Sequence, residues 1–401
     1  LMPFGGRCQL TPAEGMAAKI PVLDGDTGTA TLMSFGYNPE IAKWSPFHGA
    51  VYAIVEACAK IAAMGGDFRK IRLTLQEYFE KPGKDPVRWG KPFSALLGAY
   101  FAQMKLGIPA IGGKDSMSGT FKDMDVPPAL VAFAVSVADA DGVISPEFKK
   151  AGDSVILIPL NPDTNGLPDF KQMQLNLDAV RKLAKAGKAS AACTVKAGGL
   201  AEAISKMCFG NMIGFEFEGE LPPESFFTPG YGSIILELDG KSGEEADACD
   251  FLNGVQYKFL GYTCKYESIS VNGVRISLEE ALEKWGEPLE KIFPVRAKAE
   301  TVGDEKPGLY YYCVGEGAES REGCTPGRDE AAGRRRAKPR IPVARPRVFM
   351  PVFPGTNCEY DTEKQFVRSG GIVDTFVFKN LSQKDIERSV ETMAKKIADS
   401  Q

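Results

Sequence analysis

Glycines, a lysine, a carboxylate and two hydroxyls fall together in the stretch from Ile108 to Thr120, Ile-Pro-Ala-Ile-Gly-Gly-Lys-Asp-Ser-Met-Ser-Gly-Thr. The apolar run Ile108 to Ile111 predicts a buried strand, and Gly112 and Gly113 a sharp turn that brings backbone N–H groups close to a ligand. Lys114 supplies a cation, Asp115 a carboxylate suited to Mg²⁺, and Ser116 and Ser118 donors for phosphate oxygens. The stretch is not the common P-loop. Ile108 stands where that motif has its first glycine, and Asp115 follows the lysine. On the residues alone two readings stay open: a phosphate-binding loop, or a tight polar connection between strands, since a glycine pair is first of all punctuation.

Other chemistry-bearing residues are sparse. Glu56 falls within a helical pattern, near its buried edge, where it is either a metal ligand or an ordinary residue paired with Lys60 one turn on. His48 is the only histidine, so Ser-His and Cys-His triads must use it or be absent. Its place at the start of that helix suits a hydrogen-bonding role better than proton transfer. The nine cysteines are scattered, with no Cys-x-x-Cys, which fits free thiols in a reducing compartment rather than a zinc site.

Elements to position these residues read clearly. Ser45 and Pro46 predict a helix start, and Val51, Ile54, Val55, Cys58 and Ile61 a helical stripe running to Gly65 and Gly66. Strands are expected at Ala30–Phe35, Ile71–Gln76 and Ala129–Val137, the last a continuous apolar run, with a helix over Pro92–Lys105. A second series follows: strands at Ser154–Leu160, Ala191–Val195, Ile213–Glu216, Gly232–Leu238, Tyr257–Tyr262 and Ile269–Val274, and helices at Asp169–Ala186, Leu200–Met207 and from Ser277. Residues 316–346 are basic and rich in proline and glycine, and read as a solvated linker. From 347 a strand, turn, helix, strand and helix open a parallel sheet. The fold class is therefore α/β and α+β.

The chain has 401 residues, 44% of them apolar and 25% charged, with a formal net charge of −4. That is ordinary for a soluble protein of two or three domains and gives no basic field for nucleic acid. No window approaches 18 uninterrupted apolar residues and no cleavable leader is legible, so a cytoplasmic protein without a membrane partner is expected. The first residue is Leu1, and the last helical pattern runs into Gln401, which predicts a piece of a longer chain.

Three stretches together resemble one family: Ser45-Pro-Phe-His-Gly-Ala with its helix, Gly112-Gly-Lys-Asp-Ser-Met-Ser with Pro127-Pro-Ala-Leu-Val, and Pro354-Gly-Thr-Asn-Cys-Glu-Tyr-Asp. With Arg88-Trp-Gly-Lys-Pro and Gly198-Gly-Leu-Ala-Glu-Ala, their order is similar to the large single-chain phosphoribosylformylglycinamidine synthases of purine biosynthesis. The resemblance implies an ATP- and glutamine-dependent conversion of formylglycinamide ribonucleotide to formylglycinamidine ribonucleotide. It also implies an aminoimidazole-ribonucleotide-synthetase-like N-type domain over 1–145, a C-type domain over 150–315, and over 347–401 the truncated start of a flavodoxin-like class I glutaminase. The missing partners would then be an N-terminal synthase half and the rest of the glutaminase, which delivers glutamine-derived ammonia.

By that resemblance Gly113 and Lys114 occupy the nucleotide-phosphate loop, Ser116 meets substrate, and Glu56 binds magnesium. ATP and Mg²⁺ are the implied cofactors. The chain departs from the pattern where some members have a metal-binding asparagine and it has Lys60, and where some have His-Asp-x-Ser and it has Cys193-Thr-Val-Lys. An ammonium cannot ligate Mg²⁺. Cys358 lies in the first strand-to-helix turn of the glutaminase-like segment, whereas that family's nucleophile follows a later strand, so Cys358 reads as structural. These departures keep a rival reading open, in which this half is a structural or nucleotide-binding module completing a pseudo-dimer.

Overall fold

Asn38 and Ser45 each cap a helix. The Asn38 side chain accepts from the Glu40 and Ile41 amides at the head of α1 (Pro39–Trp44), and the Ser45 hydroxyl accepts from the His48 amide at the head of α2 (Pro46–Ala63). Proline at the first position of each costs no intrahelical bond. The computed structural model describes residues 4–22, 25–239, 250–292 and 345–398, in one unit up to Ala318 and another from Glu319. Most of the expected linker, and the end of the expected 150–315 domain, lie outside the described residues.

The first part of the larger unit holds β1 (Met16–Lys19), β2 (Thr29–Gly36), β3 (Arg72–Tyr78), β4 (Ala110–Ser116), the short hairpin β5 (Thr120–Phe121) with β6 (Met124–Asp125), and β7 (Ala129–Asp139). Five of these form a sheet in the order β1-β2-β7-β3-β4, antiparallel except for the parallel pair β3–β4 at one edge. Helix α3 (Pro86–Leu106) packs on α2. It begins earlier than expected because the Asp85 side chain caps it and Pro86 opens it, which leaves Pro92 inside the helix.

The second part is a seven-stranded sheet, β8 (Ser154–Ile158), β9 (Ala189–Thr194), β10 (Gly214–Phe217), β11 (Ile234–Leu238), β12 (Lys258–Cys264), β13 (Ser268–Val271) and β14 (Val274–Ser277), in the order β14-β13-β10-β12-β8-β11-β9. Helices α4 (Phe170–Lys185), α5 (Gly199–Phe209), α6 (Pro223–Phe227) and α7 (Leu278–Glu290) accompany it. The single strand expected over Ile269–Val274 is a hairpin instead. Asn272 and Gly273 both take positive φ, 48° and 77°, at its two-residue turn, and Asn-Gly is the preferred sequence for such a turn.

Burial on α2 exceeds the predicted stripe. Alanines at 50, 53, 57, 59, 62 and 63 are buried along with the larger residues, so neighbours approach the helix on all sides. One apolar core contains α2, Leu32, Leu73 and Ala132 of the first sheet, Met173 and Leu177 of α4, and Ile156, Ile158, Ile234 and Leu236 of the second sheet. A second core lies on the far face of that sheet, where Val155, Ile235 and Phe215 meet Ile204 and Met207 of α5 and Leu282 of α7. Strands β8 and β11 are thus covered on both faces, which explains their unbroken apolar runs.

The first sheet is covered on one face only. β7 does not behave as the buried run its composition predicts: Leu130, Ala132 and Ala134 face α2, while Phe133 and Val137 stand exposed. Met33 and Phe35 of β2 share that open face, with Phe35 opposite Phe133.

The smaller unit is β15 (Arg347–Val352), α8 (Glu359–Arg368), β16 (Ile372–Val377) and α9 (Gln383–Ala398), with β15 parallel to β16. This is the expected β-α-β-α opening.

Glu237 lies wholly buried in β11, on the side of the second core, and its carboxylate accepts from the Lys149 and Lys150 amides. Burial pushes its pKa up to about 7; the two amides oppose that and Asp153 adds to it. An unfolded glutamate titrates near 4.3, so between about pH 4.3 and 7 the native state binds more protons than the unfolded one. Stability is greatest below that window and falls as pH rises through it. Thermal melts from pH 4.5 to 8 should therefore show a decline that Glu237→Gln flattens, by up to roughly 3 kcal/mol at ~1.4 kcal/mol per pKa unit.

Candidate functional site

The stretch that opens with Ile108 does not turn at its glycines. Strand β4 runs straight through them, with Gly112 opposite Thr74, Gly113 opposite Leu75, Lys114 opposite Gln76, Asp115 opposite Glu77 and Ser116 opposite Tyr78. The expectation of a buried strand ending at Gly112 is corrected in two ways. Ile108 is buried but precedes β4, and Ile111 is 69% exposed on the edge strand. The need for glycine is local: a Cβ at Gly113 would stand 2.2 Å from the Leu75 carbonyl oxygen, while one at Gly112 would meet open space.

Alternation along a strand then divides the expected site residues. Gly112, Lys114 and Ser116 belong to the open sheet face, in register with Thr74, Gln76 and Tyr78. The Lys114 ammonium lies 5.8 Å from the Tyr78 ring centroid, and the Ser116 and Ser118 hydroxyls are 2.9 Å apart. Gly113 and Asp115 belong to the opposite, helix-bearing face. Asp115 is there joined by Glu77, whose carboxyl is lifted above its usual range by burial and by the Asp115 charge. The strand expected over Ile71–Gln76 stops one residue short of Glu77, and the register of Glu77 opposite Asp115 appears only once β3 pairs with β4. The sheet pairs β4 on one side only, leaving alternate backbone N–H and C=O groups outside the ladder.

Glu56 is elsewhere. It lies under the end of β2, where a Cβ on Gly36 would come 2.9 Å from the Glu56 Cβ and where the Tyr37 amide donates to its carboxylate at 3.3 Å. Strand β4 is three strands from β2, roughly 14 Å at the usual strand spacing. Glu56 and Asp115, each expected as a magnesium ligand, therefore do not share one ion. Lys60 takes the cation's place: its ammonium is 2.7 Å from Glu56 Oε1, donates to the Phe35 carbonyl and stands over the Phe35 ring, with both charged side chains buried.

The second position where the resemblance would put a metal carboxylate is filled likewise. Thr194 donates to Glu14 at 2.6 Å, the Cys193 thiol donates to the same carboxylate, and Lys196 pairs with it at 3.4 Å. Burial works against the Lys196 ammonium, but Glu14, Cys193 and Glu56 hold its pKa above the ordinary range. Among the described residues no three His, Cys, Asp or Glu side chains gather as metal ligands. The carboxylates at these two positions, Glu56 and Glu14, are already neutralised by Lys60 and Lys196 and do not fit a magnesium ion.

His48 is held at both ring nitrogens, Nδ1 2.8 Å from the Ser45 hydroxyl and Nε2 3.0 Å from the Asn165 carbonyl oxygen. A carbonyl only accepts, so Nε2 carries the proton. The hydrogen-bonding role agrees with the sequence reading. Beside it a cleft of about 440 Å³ is lined by Asn38, Trp44, Tyr52, Pro168 and Tyr231. In the smaller unit Cys358 is exposed at the head of α8 with φ 65°, and its carbonyl accepts from the Thr362 amide and hydroxyl.

No family model matches the chain. It is 25% identical over 310 residues to the phosphoribosylformylglycinamidine synthase subunit PurL of Thermus thermophilus, a match covering 72% of this chain and 42% of that one. It is 26% identical over 230 residues to the PurL of Pyrobaculum aerophilum, 53% of this chain and 32% of that one. Among solved structures, PurLQS from Thermotoga maritima aligns with TM-score 0.54 at 14% identity over 75% of this chain and 51% of that one. T. maritima PurL complexed with FGAR gives 0.53 at 13%, over 75% and 52%. The structural matches show a shared mixed α/β fold, and the chain spans less than half the length of these curated relatives.

Two outcomes follow. Without nucleotide, replacing EDTA by millimolar Mg²⁺ should leave the melting temperature unchanged; a rise that disappears in Glu56→Gln would show a metal site there after all. Asp115→Asn should lower the Glu77 carboxyl pKa in an NMR titration, because it removes the like charge.

Proposed function

We propose that this chain, a relative of the phosphoribosylformylglycinamidine synthase subunits PurL, is one synthase half of an ATP-dependent enzyme that converts formylglycinamide ribonucleotide to formylglycinamidine ribonucleotide. The observation that carries the reading is the strand β4. Its alternation lines up Gly112, Lys114 and Ser116 on one face of an edge strand with backbone groups free of the ladder. Close backbone approach at a glycine, an ammonium and a hydroxyl are together the elements of a phosphate site. T. maritima PurL has been solved complexed with ATP and, separately, complexed with FGAR.

In this reading the substrate amide oxygen is activated by phosphoryl transfer from ATP, and ammonia displaces the phosphate. The chain's own task is positioning and charge stabilisation: Lys114 and the β4 amides hold the phosphoryl oxygens, and Ser116 orients the substrate beside them. Magnesium would lower the charge on the triphosphate, but no step is assigned to an ion on this chain, given the misfit at Glu56. The smaller unit, with its parallel β15 and β16, supports a glutaminase opening that would deliver ammonia from glutamine. The open face of the first sheet, with Met33, Phe35, Phe133 and Val137 exposed, supports pairing with a second synthase half.

A second reading draws on the lysines at Glu56 and Glu14. A half whose expected metal positions are neutralised internally suits a structural or nucleotide-binding role, with turnover in the other half.

Calorimetry separates the two from a third possibility, an empty site. ATP should bind the chain, and Lys114→Ala should weaken binding about tenfold, the loss of one charge-assisted contact of ~1.5 kcal/mol. An affinity that Lys114→Ala leaves unchanged would remove β4 as the phosphate site. ATP hydrolysis by the bound chain would favour the catalytic over the structural reading.

A further inference from the structure

Helix α3 has two apolar faces. The inner one is made of small residues, Ala95, Gly98, Ala99 and Ala102, buried against α2 and its start. A Cβ on Gly98 would stand 2.1 Å from the Phe47 carbonyl oxygen, so the two helices meet closely there. The outer face is made of large residues: Trp89, Phe93, Leu96, Leu97, Tyr100 and Met104, each between 45% and 65% exposed. At 3.6 residues per turn these six fall within an arc of about 100°, the width of a core-facing stripe rather than of a solvated surface.

The spacing of that stripe reads the same from either end. Its midpoint lies between Leu96 and Leu97, with Phe93 and Tyr100 equally far on each side and Trp89 and Met104 beyond them. In an antiparallel two-fold pair this spacing sets each large side chain opposite another large one. We propose that α3 is a homodimer contact, in which two copies of this chain pair their α3 helices antiparallel about the point between Leu96 and Leu97. Trp89 then faces Met104 of the second copy, Phe93 faces Tyr100, and Leu96 faces Leu97.

Size and charge agree with that occupant. Three aromatic side chains of roughly 150–250 Å² apiece, half or more exposed, with three long aliphatic chains beside them, bring the patch near the ~800 Å² per partner of a standard interface. The seam itself holds no charged residue. Basic residues elsewhere on the helix are engaged within the chain: Arg88 pairs with Asp125 at 2.9 Å, Lys91 with Glu80 at 2.7 Å, and Lys105 stands over Phe101. The Trp89 indole N–H donates to the Gly83 carbonyl, which fixes the ring before any partner arrives. This contact is separate from the open face of the first sheet, and it does not depend on the nucleotide reading.

Sedimentation velocity on the 401-residue chain tests it directly. The expected result is a dimer that persists in Phe133→Glu, on the open sheet face, and dissociates to monomer in Phe93→Glu and in Leu97→Glu. These side chains are exposed, so near-UV circular dichroism should show each variant folded. Leu97→Cys should, under mild oxidation, give a 97-to-97 linked peptide detectable by mass spectrometry. A monomeric wild-type chain at tens of micromolar would overturn the proposal. So would a dimer that Phe133→Glu breaks and Phe93→Glu leaves intact, which would assign self-association to the sheet face.

Discussion

Everything in the larger unit depends on burying α2 from all sides. A helix that must satisfy two sheets, α3 and α4 at once can hold no net charge, yet it carries Glu56 and Lys60 one turn apart in its interior. Their ion pair, with the Phe35 carbonyl and the Tyr37 amide as further partners, is what makes that burial possible. Removing one member alone would strand the other in a low-dielectric interior, a far larger cost than the pair's net contribution. The pair also fixes the relation of β2 to the helix, because both further partners lie at the end of β2.

The same economy shapes the functional surface. Charge near α2 is balanced within the chain, at Glu56 with Lys60 and at Glu14 with Lys196 and Thr194. Polar groups that face outward in a position to meet a ligand lie instead three strands away, on β4. The regions to which the family resemblance assigns the phosphates and the magnesium are thus physically distinct here: an internally neutral cluster under β2, and an open strand with Lys114 and Ser116 on one face and Asp115 and Glu77 on the other.

Much of this was legible in the sequence. The Ser45 cap stands where its side chain is needed, helices start at Asp169 and Ser277 as expected, and the β-α-β-α opening from Arg347 follows its predicted order. The Lys60 partner of Glu56 was readable from the i, i+4 spacing. What was not legible depended on pairing between distant strands. Gly112 and Gly113 look like a turn until β3 supplies a parallel neighbour whose Leu75 carbonyl demands a glycine at 113. The exposed alternate residues of β7 look buried until the sheet proves to be covered on one side only. Asn272-Gly273 is a miss of another kind, since its turn chemistry was present in the sequence and went unread.

The central claim is that β4, through its outer face, receives the nucleotide's phosphates. Amide chemical shifts recorded as ATP is added test it most directly. Changes concentrated at Gly112, Lys114 and Ser116, with smaller ones at Tyr78, are the predicted result. Changes concentrated instead at Gly198 and Gly199, at the head of α5, with β4 silent, would contradict it.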